Sequence, residues 1–304
     1  MRVLVVGAGA VGGYFGARLH EKGEDVTFLV REKRREQLNQ NGLKVESVNG
    51  NVTIHPKMIV ASDEAQAFDV ILLSTKAYHL DNVLNDIDPF VGETTMILPV
   101  LNGIAHLEII QQRYGIDRVL GGLSFIESTL DKEGTVLQTS PSHDILFGEL
   151  NGQTTERITK LNEVFSGTKA HFRKRSNILQ DMWHKYIFIT TLSGITSLTR
   201  SPVGPIRQTK LGQELIVRYG KEILSIVEQI KAPVGENAEE FLFGRMDFMT
   251  DEMKSSMQRD MEKGLHVEAD HLQGYLYEKA VKEGIDVPVL QTIYTNLKIY
   301  ESQI

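Results

Sequence analysis

Met1-Arg-Val-Leu-Val-Val-Gly-Ala-Gly-Ala-Val-Gly-Gly-Tyr-Phe-Gly16 opens the chain, and its reading decides the fold. Val3 to Val6 make a short β-branched and apolar run, the composition of a strand buried on both faces. Gly7, Gly9 and Gly12 follow with the spacing G-x-G-x-x-G, ahead of Tyr14 to Lys22, which is patterned as a helix stopping near Gly23. In a dinucleotide-binding turn the first glycine permits the tight bend, the second admits a pyrophosphate to the backbone, and the third lets helix and strand pack closely. The helix N-terminus behind them attracts anions. Gly7, Gly9, Ala10, Val11 and Gly12 are therefore candidate cofactor contacts. Two other readings compete. The glycines also suit a plain turn, and the apolar start imitates a secretory signal, although so many glycines would break its helix.

A second strand pattern, Asp25-Val-Thr-Phe-Leu-Val30, supports the dinucleotide reading, and the residue after it is informative. An acid there suits the ribose 2′-hydroxyl of NAD, whereas an arginine suits the 2′-phosphate of NADP. The chain has Arg31, with Lys33, Arg34 and Arg35 behind it, which points to NADPH; Glu32 keeps NAD open. Phe68 to Thr75 reads as a buried strand ending in Lys76, and Thr94 to Leu101 as another ending in Asn102-Gly103. Ligands of open parallel sheets sit outside the carboxyl ends of the strands. The glycine turn, Arg31, Lys76 and Asn102 share that placement, though Lys76 also reads as a loop lysine and Asn102-Gly103 as a turn.

Leu43 to Ile54 alternates around Asn49-Gly50, a hairpin signal. Between Val119 and Leu150 short strands at 123–126, 135–138 and 145–147, separated by Gly134 and Pro141, predict an antiparallel extension of the sheet. An amphipathic segment at 155–165 and a strand at 170–172 complete a nucleotide-binding domain over residues 1–175. The remainder, 176–304, is helical in pattern. One helix runs from Asn177 through Thr199, and Pro205 opens the next, to about Ile230. Further segments span 236–260, 267–283 and 289–300. The fold class is thus α/β, a Rossmann-type doubly wound sheet followed by an all-α C-terminal domain.

Composition limits the partners. Of 304 residues 40 are acidic and 33 basic, giving a net charge of -7, so no broad basic field for nucleic acid is available. There is no cysteine, which excludes disulfides, thiolate nucleophiles and cysteine-ligated zinc. Apolar stretches such as 186–192 are too short to span a membrane. The chain suits the cytoplasm.

Two charged residues stand where helical periodicity calls for apolar ones. Ile178, Met182, Lys185, Ile189, Leu192 and Thr196 form a stripe with one charge, Lys185, which pairs with Asp181 four residues earlier or acts chemically. Leu265, Glu268, Leu272, Tyr275 and Leu276 share another face, so Glu268 points inward or serves as a helix-start acid. His266 and His271 are five apart and do not form the i, i+4 pair of a helical metal site, so no metal is expected. Ser255-Ser256 reads as a cap or as hydroxyl donors to an anion.

With these residues in place the chain resembles the ketopantoate reductase (2-dehydropantoate 2-reductase) family over nearly its whole length. The segments that carry the likeness are Gly7-Ala-Gly-Ala-Val-Gly12, Ser74-Thr-Lys-Ala-Tyr78, Leu101-Asn-Gly103, Met182-Trp-His-Lys-Tyr186, Ser255-Ser-Met-Gln-Arg-Asp260, and Glu268-Ala-Asp270 with Gly274-Tyr275. The resemblance implies NADPH as the reductant of a branched 2-oxo acid, usually ketopantoate on the way to pantothenate, in a cleft between the two domains. It implies Lys185 as catalytic acid, Glu268 as active-site glutamate and Ser256 as substrate-binding serine. Asn102 and Lys76 would line the cofactor and reacting centre, and Arg31 would lie beside the 2′-phosphate. Ile189, Ser193 and Val203 stand where many members carry substrate-holding asparagines. Reduction of another branched 2-oxo acid is therefore the alternative, and a non-catalytic NADP(H)-binding regulator a further one. A homodimer is expected from helical second domains of this kind.

Overall fold

The apolar run behind Met1 forms the central strand of a parallel sheet, as a segment without polar alternation must when both its faces are covered. The computed structural model describes residues 1–64 and 66–304. By its internal contacts the chain divides into two units, one of residues 1–101 and 106–178, the other of 102–105 and 179–304.

The first unit begins β1 (Arg2–Val6), α1 (Ala10–Lys22), β2 (Asp25–Leu29) and α2 (Glu32–Asn41). It continues with β3 (Leu43–Ser47), β4 (Val52–Ile54), β5 (Lys57–Ile59) and β6 (Val70–Leu73). Then come α3 (Leu80–Ile87), β7 (Met96–Pro99), α4 (His106–Tyr114), β8 (Gly121–Leu130), β9 (Val136–Gly148), α5 (Glu156–Phe165) and β10 (His171–Lys174). The first sheet has the order β5-β2-β1-β6-β7 with every pair parallel. Crossover connections of this kind place helices on the sheet faces.

The strands expected between Val119 and Leu150 do pair antiparallel, β8 on β9, but within a second sheet ordered β10-β9-β3-β4 rather than as an extension of the first. The Asn49-Gly50 hairpin joins it, since β3 pairs antiparallel with β4 and parallel with β9. Pro141 does not end a strand. It lies inside β9 where the register against β8 shifts between Ile126 and Ser128, and a residue without an N–H is tolerated at such a bulge. The Glu127 N–H donates to Ser140 Oγ at 2.9 Å there. α1 packs against both sheets, and its Arg18 is fully buried, paired with Glu21 at 2.8 Å and hydrogen-bonded to the Gly50 carbonyl.

The second unit is helical apart from its connections. It comprises most of α6 (Ile178–Thr199), then α7 (Val203–Arg207), α8 (Lys210–Gln229), α9 (Ala238–Phe248), α10 (Ser256–Glu262), α11 (Tyr275–Glu283) and α12 (Pro288–Glu301). Pro205 sits within the short α7, and Thr209 opens α8 by accepting the Gly212 N–H at 3.0 Å. The segment expected at 236–260 is two helices, α9 and α10. That expected from 267 starts later: Glu268 precedes the winding, Asp270–Gly274 form a π-helical turn leading into α11, and Leu265 is exposed outside the helix. α6 and α8 meet at Gly194, where a Cβ would lie 2.4 Å from the Tyr219 ring.

Candidate functional site

In the first unit the glycine turn has the geometry of a phosphate cradle. Gly7 adopts φ +91°, which bends the chain out of β1. A Cβ on Gly9 would meet nothing within 4 Å, so this backbone is open to a ligand. A Cβ on Gly12 would stand 2.2 Å from Ser74 Oγ and 2.4 Å from the Gly7 carbonyl, leaving no room for a side chain between α1 and the strands. α1 begins at Ala10 and Val11 without a side-chain cap, so the first-turn N–H groups remain available to an anion. The buried Thr75 hydroxyl beside the turn has no hydrogen-bond partner. An open backbone, uncapped amides and an unpartnered hydroxyl fit a dinucleotide pyrophosphate.

The four basic residues after β2 separate by role. Arg34 donates to the Ala8 and Gly134 carbonyls at 3.1 and 2.9 Å, tying the glycine turn to the loop between β8 and β9. Arg35 pairs with Glu32 at 2.8 Å and with Asp63 at 3.3 Å. Arg31 and Lys33 are exposed, and neither side chain has an ion pair among the described residues. Glu32, the residue that kept NAD open, is thus engaged by Arg35. Lys76 follows β6 and is half-buried at the start of a single 3₁₀ turn, Ala77–His79.

The second unit brings Lys185, Asn102 and Glu268 together. Lys185 and Glu268 are each only 8% exposed. The Lys185 ammonium donates to Asn102 Oδ1 at 3.0 Å. Burial pushes the Lys185 pKa down to about 8, while the Glu268 charge pushes it up. Neighbours of Lys185 anchor α6. Tyr186 donates to the Leu272 carbonyl at 2.6 Å, Trp183 meets Tyr186 edge to face, and His184 stacks on Phe241.

The adjacent serines differ in setting. Ser255 is buried and caps α10, accepting the Gln258 N–H at 3.0 Å, with the Thr196 hydroxyl 2.8 Å away. Ser256, the next residue, is exposed. Of the three positions that depart from the family asparagines, Ile189 is half-buried one turn beyond Lys185, and Val203 is buried. Ser193 is committed inside the bundle, accepting from Gln273 Nε2 at 2.9 Å. Gln273 escaped the sequence reading; a glutamine at an apolar helical position was its only signal.

Residues 3–152 match the family described as ketopantoate reductase PanE/ApbA, and residues 177–301 match its C-terminal counterpart. The chain belongs to the ketopantoate reductase family. It is similar to the uncharacterized oxidoreductase YkpB of Bacillus subtilis strain 168, with 47% identity over all of both chains. The crystal structure of 2-dehydropantoate 2-reductase from Geobacter metallireducens GS-15 superposes with a TM-score of 0.86 at 29% identity, covering 98% of this chain and 99% of that one. A ternary structure of D-mandelate dehydrogenase with NADH and anilino(oxo)acetate shares the fold, with a TM-score of 0.89 at 21% identity over 100% and 99% of the chains. The protein is thus an oxidoreductase of the ketopantoate reductase family. Among the described residues no helix is long and apolar enough to cross a membrane.

Proposed function

We propose that this ketopantoate reductase family member reduces a branched 2-oxo acid to its 2-hydroxy acid with NADPH, with ketopantoate, the precursor of pantoate in pantothenate formation, as the substrate. The observation that carries the reading is a buried lysine whose ammonium is held by an asparagine amide beside a buried glutamate. When bound, the dinucleotide supplies the hydride. Gly7, Gly9, Ala10, Val11 and Gly12 hold its pyrophosphate, and Arg31 answers its 2′-phosphate; Lys76 lines the same cofactor.

Lys185 does the acid work. As the carbonyl carbon is reduced, negative charge grows on its oxygen, and an ammonium aimed at that oxygen stabilises the charge before giving up its proton. A pKa of about 8 keeps the group charged at neutral pH yet makes it a readier donor than an ordinary lysine. Asn102 orients the ammonium through Oδ1. Glu268 sustains its charge and would accept from a substrate hydroxyl, and the exposed Ser256 hydroxyl would bind the substrate.

A second reading concerns the acid itself. Ile189 offers an apolar side chain one turn beyond Lys185, and the Ser193 hydroxyl is already engaged by Gln273. A pocket that loses amides becomes more tolerant of apolar side chains. This favours a hydroxyl-free branched 2-oxo acid. Initial rates with NADPH and with ketopantoate, 2-oxoisovalerate and 2-oxoisocaproate test both readings. Preference for ketopantoate supports the first and preference for either hydroxyl-free acid the second; no reduction of any of them defeats both.

A further inference from the structure

The π-helical turn Asp270–Gly274 directly follows Ala269, so the winding next to Glu268 is wider than an α-helix. Single π-helical turns within helices occur frequently at functional sites. This one is held from two sides. Tyr186, next to Lys185 on α6, donates to the Leu272 carbonyl, and Gly274 fits under Tyr294, where a Cβ would lie 2.9 Å from the ring hydroxyl. The turn thereby carries His271 onto the backbone of Asn102-Gly103. Gly103 adopts φ +86°, and a Cβ there would lie 2.7 Å from His271 Cδ2 and 3.0 Å from Nε2. The imidazole is hydrogen-bonded to the Asn102 backbone.

We propose that His271 is a positioning residue that clamps Asn102-Gly103 so that the Asn102 amide stays in register with the Lys185 ammonium. The inference rests on the reading of Lys185 as the acid of a reductase. The chemistry of the contact favours a clamp. Asn102 lies beyond the end of β7, in a bend, so the place of its amide depends on what holds its backbone. Here that backbone is held by the imidazole on one side, while its side chain meets Lys185. Burial pushes the His271 pKa down, against the opposing pull of Glu268 and of the Asn102 backbone, which favours the neutral ring.

Two measurements on the full chain test the clamp. The first compares kcat/KM for the best 2-oxo acid in His271→Ala, Asn102→Ala and the double variant. His271→Ala is expected to lose between about tenfold and a hundredfold, since small misplacements of a reacting group cost that much. The KM for NADPH stays at the parent value. The double variant is no worse than Asn102→Ala, because both changes remove one coupled contact. Of His271→Gln and His271→Asn, at least one recovers part of the loss by retaining an N–H donor. Parent-level activity in His271→Ala, losses that multiply in the double variant, or no recovery with either amide overturns the proposal.

The second measurement follows the titration of Lys185 by NMR with 13C-labelled lysine, and it does not depend on turnover. Removing an acceptor from the charged form lowers the midpoint. His271→Ala is expected to move the midpoint in the same direction as Asn102→Ala; an unchanged midpoint in His271→Ala overturns the clamp. If the parent reduces no 2-oxo acid the reductase reading fails by itself, and this titration still decides the role of His271.

Discussion

Lys185 and Asn102 lie 83 positions apart, yet the lysine Nζ stands 3.0 Å from the asparagine Oδ1, in a place where the lysine is almost withdrawn from solvent. Desolvation and the nearby Glu268 act on that ammonium in opposite senses, and desolvation is the larger, which leaves its pKa at about 8. The acid form is present below that value and is lost as pH rises through it. Reduction measured as kcat/KM is therefore expected to be level near neutrality and to fall above about pH 8 by about tenfold per unit. In Glu268→Gln the upward push is gone, so the alkaline limb moves to lower pH. A limb that stays in place in Glu268→Gln would refute the electrostatic coupling.

Ser255 and Ser256 are adjacent but separable. Ser255→Ala removes the cap of α10 and is expected to cost about 1 kcal/mol of stability, read as a lower urea midpoint. Ser256→Ala leaves that midpoint unchanged and raises KM for the 2-oxo acid. The opposite pattern would exchange their roles.

Arg31 and Arg34 form a second pair with distinct expectations. Arg31→Ala should weaken NADPH binding by about tenfold or more while leaving NADH binding unchanged, because a charge-assisted contact to phosphate is worth roughly 1.5–3 kcal/mol. Fluorescence titration of both cofactors checks it, and equal losses for both would remove Arg31 from the 2′-phosphate. Arg34→Ala releases the Ala8 and Gly134 carbonyls and should weaken both cofactors alike.

Gly12→Ala would force a methyl into the space held by Ser74 Oγ and the Gly7 carbonyl. Loss of cofactor binding is expected with the parent's 2-oxo acid specificity irrelevant to it, since the change lies wholly in the first unit. Retained binding by calorimetry would remove the third glycine from the cradle.

The glycine turn, the hairpin at Asn49-Gly50 and the odd charge in the α6 stripe were legible because each is a local pattern: a spacing, a dipeptide, a period. The second sheet was not, because β9 pairs with β3 and β10, partners remote in sequence, and its bulge around Pro141 looks like a strand break when read locally. Glu268 reads as inward-facing or as a helix-start acid, and it is both buried and at the start of the helix. Its carbonyl accepts the Leu272 N–H at 3.0 Å, and only the π turn that follows is a winding that no residue preference announces. Arg18 and Gln273, both fully buried, were passed over because neither interrupts a recognisable motif.

Residues 102–105 belong with the helical half although the chain on either side of them belongs with the sheet half. The residues proposed for the site are therefore interleaved along the gene rather than divided at one seam. A chimera joined near residue 178 would take Lys185, Ser256 and Glu268 from one parent and Asn102 from the other. Exchange of helical halves between relatives is thus an exchange of partners for a single amide, and only parents that agree on its placement would yield a working hybrid.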